Sequence, residues 1–472
     1  MNAQSRKMFL ILVAAGIFLG GIWASTASAV NISEFVTLRP YVEIGGGYDD
    51  NVFEISEDAP LPEDAKERDD TYVDARAGVN ADIHLDQNLL NLDLGLSYEF
   101  VYLKYNNNTQ LDDTQNNLTF DFSLGSQYDY EKGFFRDRVK LSVQDVLELV
   151  PIDEEEPLAI GNQTLKNDFS AGVKYNVLAK PRTALILGYS YGRTDYGDDE
   201  ITVWTVADDY NDSQNLTQES QTHTGTVDFK HAVSSKLTYV LSYAYEFADR
   251  EETPGELNSA NFARQNVITG VDMKLSPRIQ TSLRAGYSLT SYEDVETLSQ
   301  NDQDSFVAQA SVTGKFEQLP ATPLVTVGYE RYYTENDFGD TLLTDDAFGR
   351  IAFKIAQGFV VNVETDYLFE QREVYDDDTG TLSFGVNGEY EVIKNMRLLA
   401  GYTFLDKEMF AQNFLGEDDR NETANIFSAG LEYKVARYVL LRGIYSYTDK
   451  SSSVAADEYS KNKFVASGRV IF

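Results

Sequence analysis

The sequence predicts an all-β fold, a transmembrane antiparallel up-and-down β-barrel of about 20 strands, within roughly 18 to 22. Three observations carry the expectation. Apolar residues recur with a period of two along most of the chain, tight connectors alternate with long acidic ones, and the first 29 residues have the layout of an export signal.

The period is plain in LLNLDLGLSYEFVY, where Leu90, Leu92, Leu94, Leu96, Tyr98, Phe100 and Tyr102 alternate with small or charged residues. Successive strand residues point to opposite faces, so this is a strand with one greasy side. NLTFDFSL, with Leu118, Phe120, Phe122 and Leu124, repeats the pattern, as does KLTYVLSYAYEF, with Leu237 through Phe247. A soluble sandwich also needs one greasy face, so the connectors decide between the two. Tight ones, around Asp86-Gln87-Asn88, Ser234-Ser235, Lys394-Asn395 and Ala436-Arg437, alternate with long ones such as EISEDAPLPEDAKERDD, PIDEEEPLAIGN and FLGEDDRNE. Short turns at one end and long polar loops at the other mark an outer-membrane barrel, with an even strand number and both termini at the periplasmic, short-turn end. Tyr-rich phrases such as LSYEFVY, GYSYG, SYAYEF and IYSY follow the short turns, so aromatics are expected to collect at one rim, where an apolar ring with a polar tip suits the interface.

Near the start of the chain, Arg6 and Lys7 precede an apolar run from Met8 to Trp23, and Ala27-Ser28-Ala29 forms a small-residue exit. That is a secretory signal peptide over residues 1–29, which leaves a barrel over 30–472 and places the protein in the outer membrane of a Gram-negative bacterium. The absence of cysteine excludes an N-terminal lipid anchor and any disulfide. The formal charge is −37, and −39 once Arg6 and Lys7 leave. Such acidity excludes a nucleic-acid partner, because phosphate binding needs clustered Lys and Arg. With 42% hydrophobic residues the chain is not disordered.

The chain closes with FVASGRVIF, in which Phe464, Ala466, Gly468, Val470 and Phe472 share one parity. An unpaired backbone edge in hydrocarbon has no water to bond, so this segment is expected to pair with the first strand, around TLRPYVEIGGGYDD. Phe464, Val470 and Phe472 are the closure candidates. The terminal aromatic also resembles the signal by which barrel assembly machinery receives its substrates. Expected partners are thus that machinery, membrane lipid and surface glycolipid.

RPYVEIGGGYDDNVFEI, Arg39 to Ile55, resembles the opening of the β-barrel porin type-two family at Pro40, Tyr48, Asp50, Asn51 and Phe53. Some members of that family sit in exopolysaccharide export systems. The resemblance therefore implies an outer-membrane channel and a periplasmic polysaccharide-export protein as a partner.

The polar parity supplies pore-lining candidates: Asp74, Arg76, Asp93, Glu99, Asp121, Arg284, Arg350, Lys354, Glu364, Asp366, Arg397 and Arg442. A lipid-facing Arg or Lys costs about 2–4 kcal/mol at the midplane, so stability alone turns such residues inward. The longest connector, Gly197 to about Ser220, carries ITVWTV and supplies constriction candidates Trp204 and Tyr210. Two arrangements stay open for it, folded into the channel or raised as an external hairpin.

Three functions remain: a conduit for polysaccharide or a similar polar polymer, a general diffusion porin, and a barrel hydrolase. The last needs a Ser and an orienting group beside His84, His223 or His231, and no such grouping is readable, so the chain is expected not to be an enzyme. No cofactor or metal pattern is present, since the acidic runs Asp153–Glu156, Asp376–Asp378 and Asp418-Asp419 lack the spaced ligands of a calcium loop.

Overall fold

The computed structural model describes residues 30–33, 36–56, 61, 65–87, 90–111, 113–125, 137–151, 163–178, 180, 182–196, 219–250, 261–292, 303–319, 321–335, 341–372, 378–410, 420–454 and 458–472. The expected signal peptide and the connector holding Trp204 and Tyr210 lie outside them.

A short strand β1 (Val30–Ser33) precedes twenty long ones: β2 (Val36–Asp49), β3 (Asp70–Gln87), β4 (Leu90–Tyr105), β5 (Asp113–Gly125), β6 (Asp137–Pro151), β7 (Gln163–Asn176), β8 (Thr183–Tyr196), β9 (Ser220–Ser234), β10 (Leu237–Arg250), β11 (Phe262–Ser276), β12 (Ile279–Tyr292), β13 (Gln303–Lys315), β14 (Leu324–Glu335), β15 (Thr341–Ala356), β16 (Phe359–Arg372), β17 (Asp378–Ile393), β18 (Met396–Phe410), β19 (Arg420–Ala436), β20 (Val439–Ser452) and β21 (Tyr459–Ile471). From β2 onward each pairs antiparallel with its sequence neighbours, and β21 pairs back onto β2. The result is a closed 20-strand barrel, as the alternation and connectors predict.

The register puts the two parities on different faces all the way round. Val42, Tyr98, Leu141, Val173, Tyr189, Val227, Tyr243, Leu283, Phe306, Val327, Tyr367, Phe384, Leu398, Phe427 and Tyr445 are exposed on one face. Glu43, Arg76, Ser142, Thr224, Arg284, Glu364 and Arg442 lie on the other, through the strand pairings that connect them. A lipid solvent accepts only the greasy face, so the polar one lines the lumen.

Tyrosines on the lipid face follow one rule of geometry. Tyr98 stands opposite Leu118, and its hydroxyl donates to Asn116, two residues nearer the long-loop end, at 2.9 Å. The same diagonal joins Tyr48 to Asp69 (3.2 Å), Tyr243 to Gln265 (3.5 Å), Tyr402 to Asn425 (2.9 Å) and Tyr445 to Asn462 (2.6 Å). It also joins Tyr287 to Asp304, Tyr329 to Asp345 and Tyr189 to His223. On β16, Tyr367 reaches along the same diagonal and lies over Gly380. Each such bond contributes about 0.5–1.5 kcal/mol and penalises a slipped register. Aromatics are not confined to that rim, however. Tyr175, Phe316, Tyr390 and Tyr433 form a second exposed set at the short-turn end, because both interfaces reward amphipathic rings.

Tight turns are built by bulges. In β11, β15, β17 and β19 the register shifts just before the turn, at Lys274/Ser276, Lys354/Ala356, Glu391/Ile393 and Lys434/Ala436. Asn395 and Gly358 take the left-handed conformation such turns require, with φ of 73° and 79°.

The seam is sealed along its length. Tyr41 through Asp49 pair with Ile471 through Lys463, and the Phe472 amide donates to the Pro40 carbonyl at 2.8 Å. Beyond that point β1 covers the same edge of β2, with Val30 opposite Leu38. Pro40, which has no amide hydrogen to leave unpaired, stands where one cover ends and the other begins. At the long-loop end the seam is clasped on both faces. On the lipid face Asp50 accepts from the Asn462 amide and side chain at 2.5 and 2.7 Å. On the lumen face Lys461 bridges Asp49 at 3.1 Å and Glu54 at 2.6 Å, while the Tyr459 hydroxyl donates to Glu54 at 2.9 Å.

Lys461 is nearly buried between two carboxylates, so Lys461→Ala is predicted to cost about 3–5 kcal/mol. Lys463→Ala, which removes only an ammonium 5.7 Å from the Tyr72 ring centroid, is predicted to cost about 1 kcal/mol or less. Urea titration of the heat-modifiable folded form checks the pair.

Candidate functional site

The candidate site is the lumen, and its wall has two unlike sectors. From β18 across the seam to β3, charges of opposite sign stand side by side on adjacent register lines. Arg397 faces Glu432, which faces Arg442. Arg397 bonds Glu432 and lies 3.3 Å from Glu389. On β21 Arg469 bonds Glu43 at 2.6 Å, Glu43 faces Arg76, and Arg76 pairs with Asp74 at 2.9 Å. The Tyr41 ring lies over Gly78, where a Cβ would clash at 2.5 Å, and its hydroxyl donates to Glu99. The other sector, β6 to β10, presents Ser142, Gln144, Ser170, Gly172, Ser190, Thr224, Thr226 and Ser242 at mid-height.

The sequence candidates fall as follows. Asp74, Arg76, Glu99, Arg397 and Arg442 sit on the charged sector just described. Arg284 pairs with Asp272 at 3.2 Å, Arg350 lies 3.8 Å from Asp366 and faces Glu364 in register, and Lys354 occupies the same parity near the short turn. Asp93 and Asp121 share the lumen parity of β4 and β5, but their side chains lie outside the described residues. Phe464 and Val470 are on the lipid parity of the seam, opposite Tyr48 and Val42.

One narrowing of the channel was not legible beforehand. β13 pairs with β14 only as far as Ala308 and Arg331, although β14 and β15 stay paired out to Glu335 and Thr341. β14 thus parts from β13 there, while β15 stays paired with β16 out to Leu342 and Arg372. Three strand spacings of about 4.8 Å would hold β11 and β14 roughly 14 Å apart along the sheet. Long side chains can span that gap, but Tyr333 has the outward parity of Val327 and Tyr329, and its ring centroid still lies 5.3 Å from the guanidinium of lumen-facing Arg264. The tip has folded inward onto the lumen wall. Phe262 and Ser288 are fully buried in this region, and Thr290 and Thr344 are only 1% exposed. Arg264 is layered between Phe262, at 4.7 Å, and Tyr333, with Glu246 at 3.6 Å. The one sequence signal is a break in alternation: the doublets Tyr332-Tyr333 and Leu342-Leu343 put bulky residues on both faces near the hairpin's end.

Half a turn around the barrel, the connector after β2 also folds over the lumen side. Val52 and Phe53 are buried there. Asn108 accepts the Lys66 amide at 3.0 Å and donates to the Glu67 carbonyl at 2.9 Å, and its own amide donates to Asp70 at 2.7 Å. Outside the membrane at the opposite end, Glu317 bonds Lys315 at 3.0 Å and Arg278 at 2.8 Å. The Lys315 hydrogen bond and the Arg278 charge hold its carboxyl below the usual carboxylate range.

No protein-family model matches the chain, and no curated protein matches it. Among solved structures it is similar to the siderophore receptor PirA from Acinetobacter baumannii, at a TM-score of 0.50 and 8% identity over 92% of this chain and 80% of that one. The FrpB iron transporter from Neisseria meningitidis is matched at a TM-score of 0.49 and 8% identity, over 95% of this chain and 83% of that one. Outer-membrane expressed OmpT of Vibrio cholerae is matched at 0.32 and 12%, over 93% and 99%. Of these three, PirA alone supports a comparison, and at 8% identity it is a comparison of fold. The lipid-facing closed barrel and this likeness define an outer-membrane β-barrel fold.

If the β14–β15 tip narrows the channel, removing residues 334–342 raises single-channel conductance in a planar bilayer while the folded form persists. Unchanged conductance would place the constriction elsewhere.

Proposed function

We propose that the chain is an outer-membrane conduit for the export of polysaccharide or a similar polar polymer. The observation that carries the reading is the lumen wall. Above the short-turn rim, the charges between β18 and β3 stand beside opposite ones across strands, so they offer hydrogen bonds without a deep single-sign trap, and the facing sector adds hydroxyl, amide and glycine surface. A long chain of hydroxyls moves past many weak, interchangeable contacts and stalls at a few strong ones. The resemblance of Arg39–Ile55 to the porin type-two family supports the same reading, and with it we propose a periplasmic polysaccharide-export protein as the partner. His223 shares its Nδ1 with the Tyr189 hydroxyl at 2.8 Å and lies against the Tyr191 ring; it serves the interface, and the proposal assigns no enzymatic role. The alternative is a general diffusion porin for small polar solutes.

A clean deletion assayed for surface polysaccharide and for small-solute uptake separates the two. The conduit reading expects loss of polysaccharide with uptake unchanged, and the reverse result makes the protein a porin. Orientation is tested with two single cysteines. Ser453→Cys, at the long-loop end, is expected to react with an impermeant thiol reagent on intact cells, and Asn395→Cys, in a tight turn, is not.

A further inference from the structure

The lumen rim at the short-turn end is basic, in a protein whose overall charge is −37. Lys140 opens β6, and Lys174, Lys230, Lys274, Lys354 and Lys434 lie close to the ends of β7, β9, β11, β15 and β19. All six occupy the lumen parity, by the pairings that place Lys140 opposite Lys174, Lys274 opposite Gln280, and Lys434 opposite Leu440. Among the described residues none of the six has an ion-pair partner, whereas several acids near them do, although Asp228 on β9 and Glu391 on β17 share the parity of the six with no such pair. Asp82 is held by Arg39 at 3.3 Å, Asp272 by Arg284 at 3.2 Å, and Glu317 by Lys315 and Arg278. The rim is left with surplus positive charge.

Two details go beyond a count of charges. Lys140 and Lys174 stand directly opposite each other in the β6–β7 register, an arrangement that like-charge repulsion disfavours. Between β9 and β13, Lys236 and Lys274 border a recess of about 510 Å³ whose wall includes Ser282, Ser311, Thr313 and Asp272, the last of these paired with Arg284. Ammonium groups beside a bank of hydroxyls suit a sugar ring that carries a carboxylate. That volume lies within the roughly 300–1,000 Å³ usual for small-ligand sites.

We infer that the basic rim is the receiving site for an anionic polysaccharide, a polymer of carboxylated or otherwise acidic sugars that enters from the short-turn side. The inference rests on the conduit reading and narrows it to a substrate class. A cleft lined by one sign of charge raises the local concentration and capture rate of the opposite sign by about 10–10³. The long connectors at the other end are acidic, as in EISEDAPLPEDAKERDD and PIDEEEPLAIGN. A polyanion is therefore drawn in at one mouth and finds no attraction at the other that would retain it.

The test uses the full barrel in a planar bilayer, with oligogalacturonate as the acidic probe and a dextran oligomer of equal length as the neutral one. Oligogalacturonate added on the short-turn side is expected to block current at about tenfold lower concentration than from the other side, and at about tenfold lower concentration than the dextran. A variant with Lys140→Gln, Lys174→Gln, Lys274→Gln and Lys354→Gln loses that preference, and the Lys→Arg variant at the same positions keeps it. Equal block by both probes, or a Gln variant that behaves like the natural chain, overturns the inference while leaving a conducting barrel. A barrel that carries no current overturns the conduit reading instead. In that case salt-dependent binding of oligogalacturonate to the detergent-folded barrel, lost in the Gln variant, still upholds the rim as the site, and absence of binding overturns it.

Discussion

A backbone amide placed in hydrocarbon has no water to turn to, and that constraint organises the molecule. It forces β21 back onto β2, and it gives β1 the task of covering the edge of β2 that β21 does not reach. It also explains why the segment Arg39 to Ile55 is so unusual in composition. Pro40 sits where the cover changes hands, Asp50 clasps Asn462 across the seam, and Phe53 is buried in the connector that seats Glu54 against Lys461. The residues that carry the family resemblance are thus the residues that close the barrel. They speak for architecture more directly than for cargo.

Closure fixes connectivity, and the side chains fix register. A slip by one residue would carry the whole greasy face into the lumen. The tyrosine diagonal guards against it, because each hydroxyl finds its acceptor two residues beyond its cross-strand neighbour. Inside, paired charges do the same work on the lumen side, from Arg397 and Glu432 to Glu43 and Arg76. Lumen polarity is therefore partly a product of stability, and features that stability does not require bear on function most directly. The facing lysines 140 and 174 and the inward-folded β14–β15 tip are two such features.

Much of the fold was legible because a period of two and a connector alternation are local signals. The strand pairing follows from them, and so does the inward parity of residues such as Arg284 and Glu364. The constriction was not legible in the same way. Trp204 and Tyr210 drew attention because an apolar run stood in an acidic connector, yet among the described residues the candidate for narrowing is the β14–β15 tip. That narrowing depends on a long-range contact, Arg264 with Tyr333, between strands that are not neighbours. Only the Tyr-Tyr and Leu-Leu doublets hinted at it, and in a sequence this rich in aromatics a doublet is a faint mark. The basic rim was hidden for another reason. Its lysines are spread 34 to 80 residues apart along much of the chain, and only the barrel brings them to one ring.

The central claim is a closed barrel with lipid on one face and water on the other. Single cysteines placed in turn from Leu440 to Thr448 along β20, reacted with a small water-soluble thiol reagent in proteoliposomes, test it most directly. The account predicts strict alternation, with positions 440, 442, 444, 446 and 448 modified and positions 441, 443, 445 and 447 protected. Modification at every position, or alternation in the opposite phase, would contradict it.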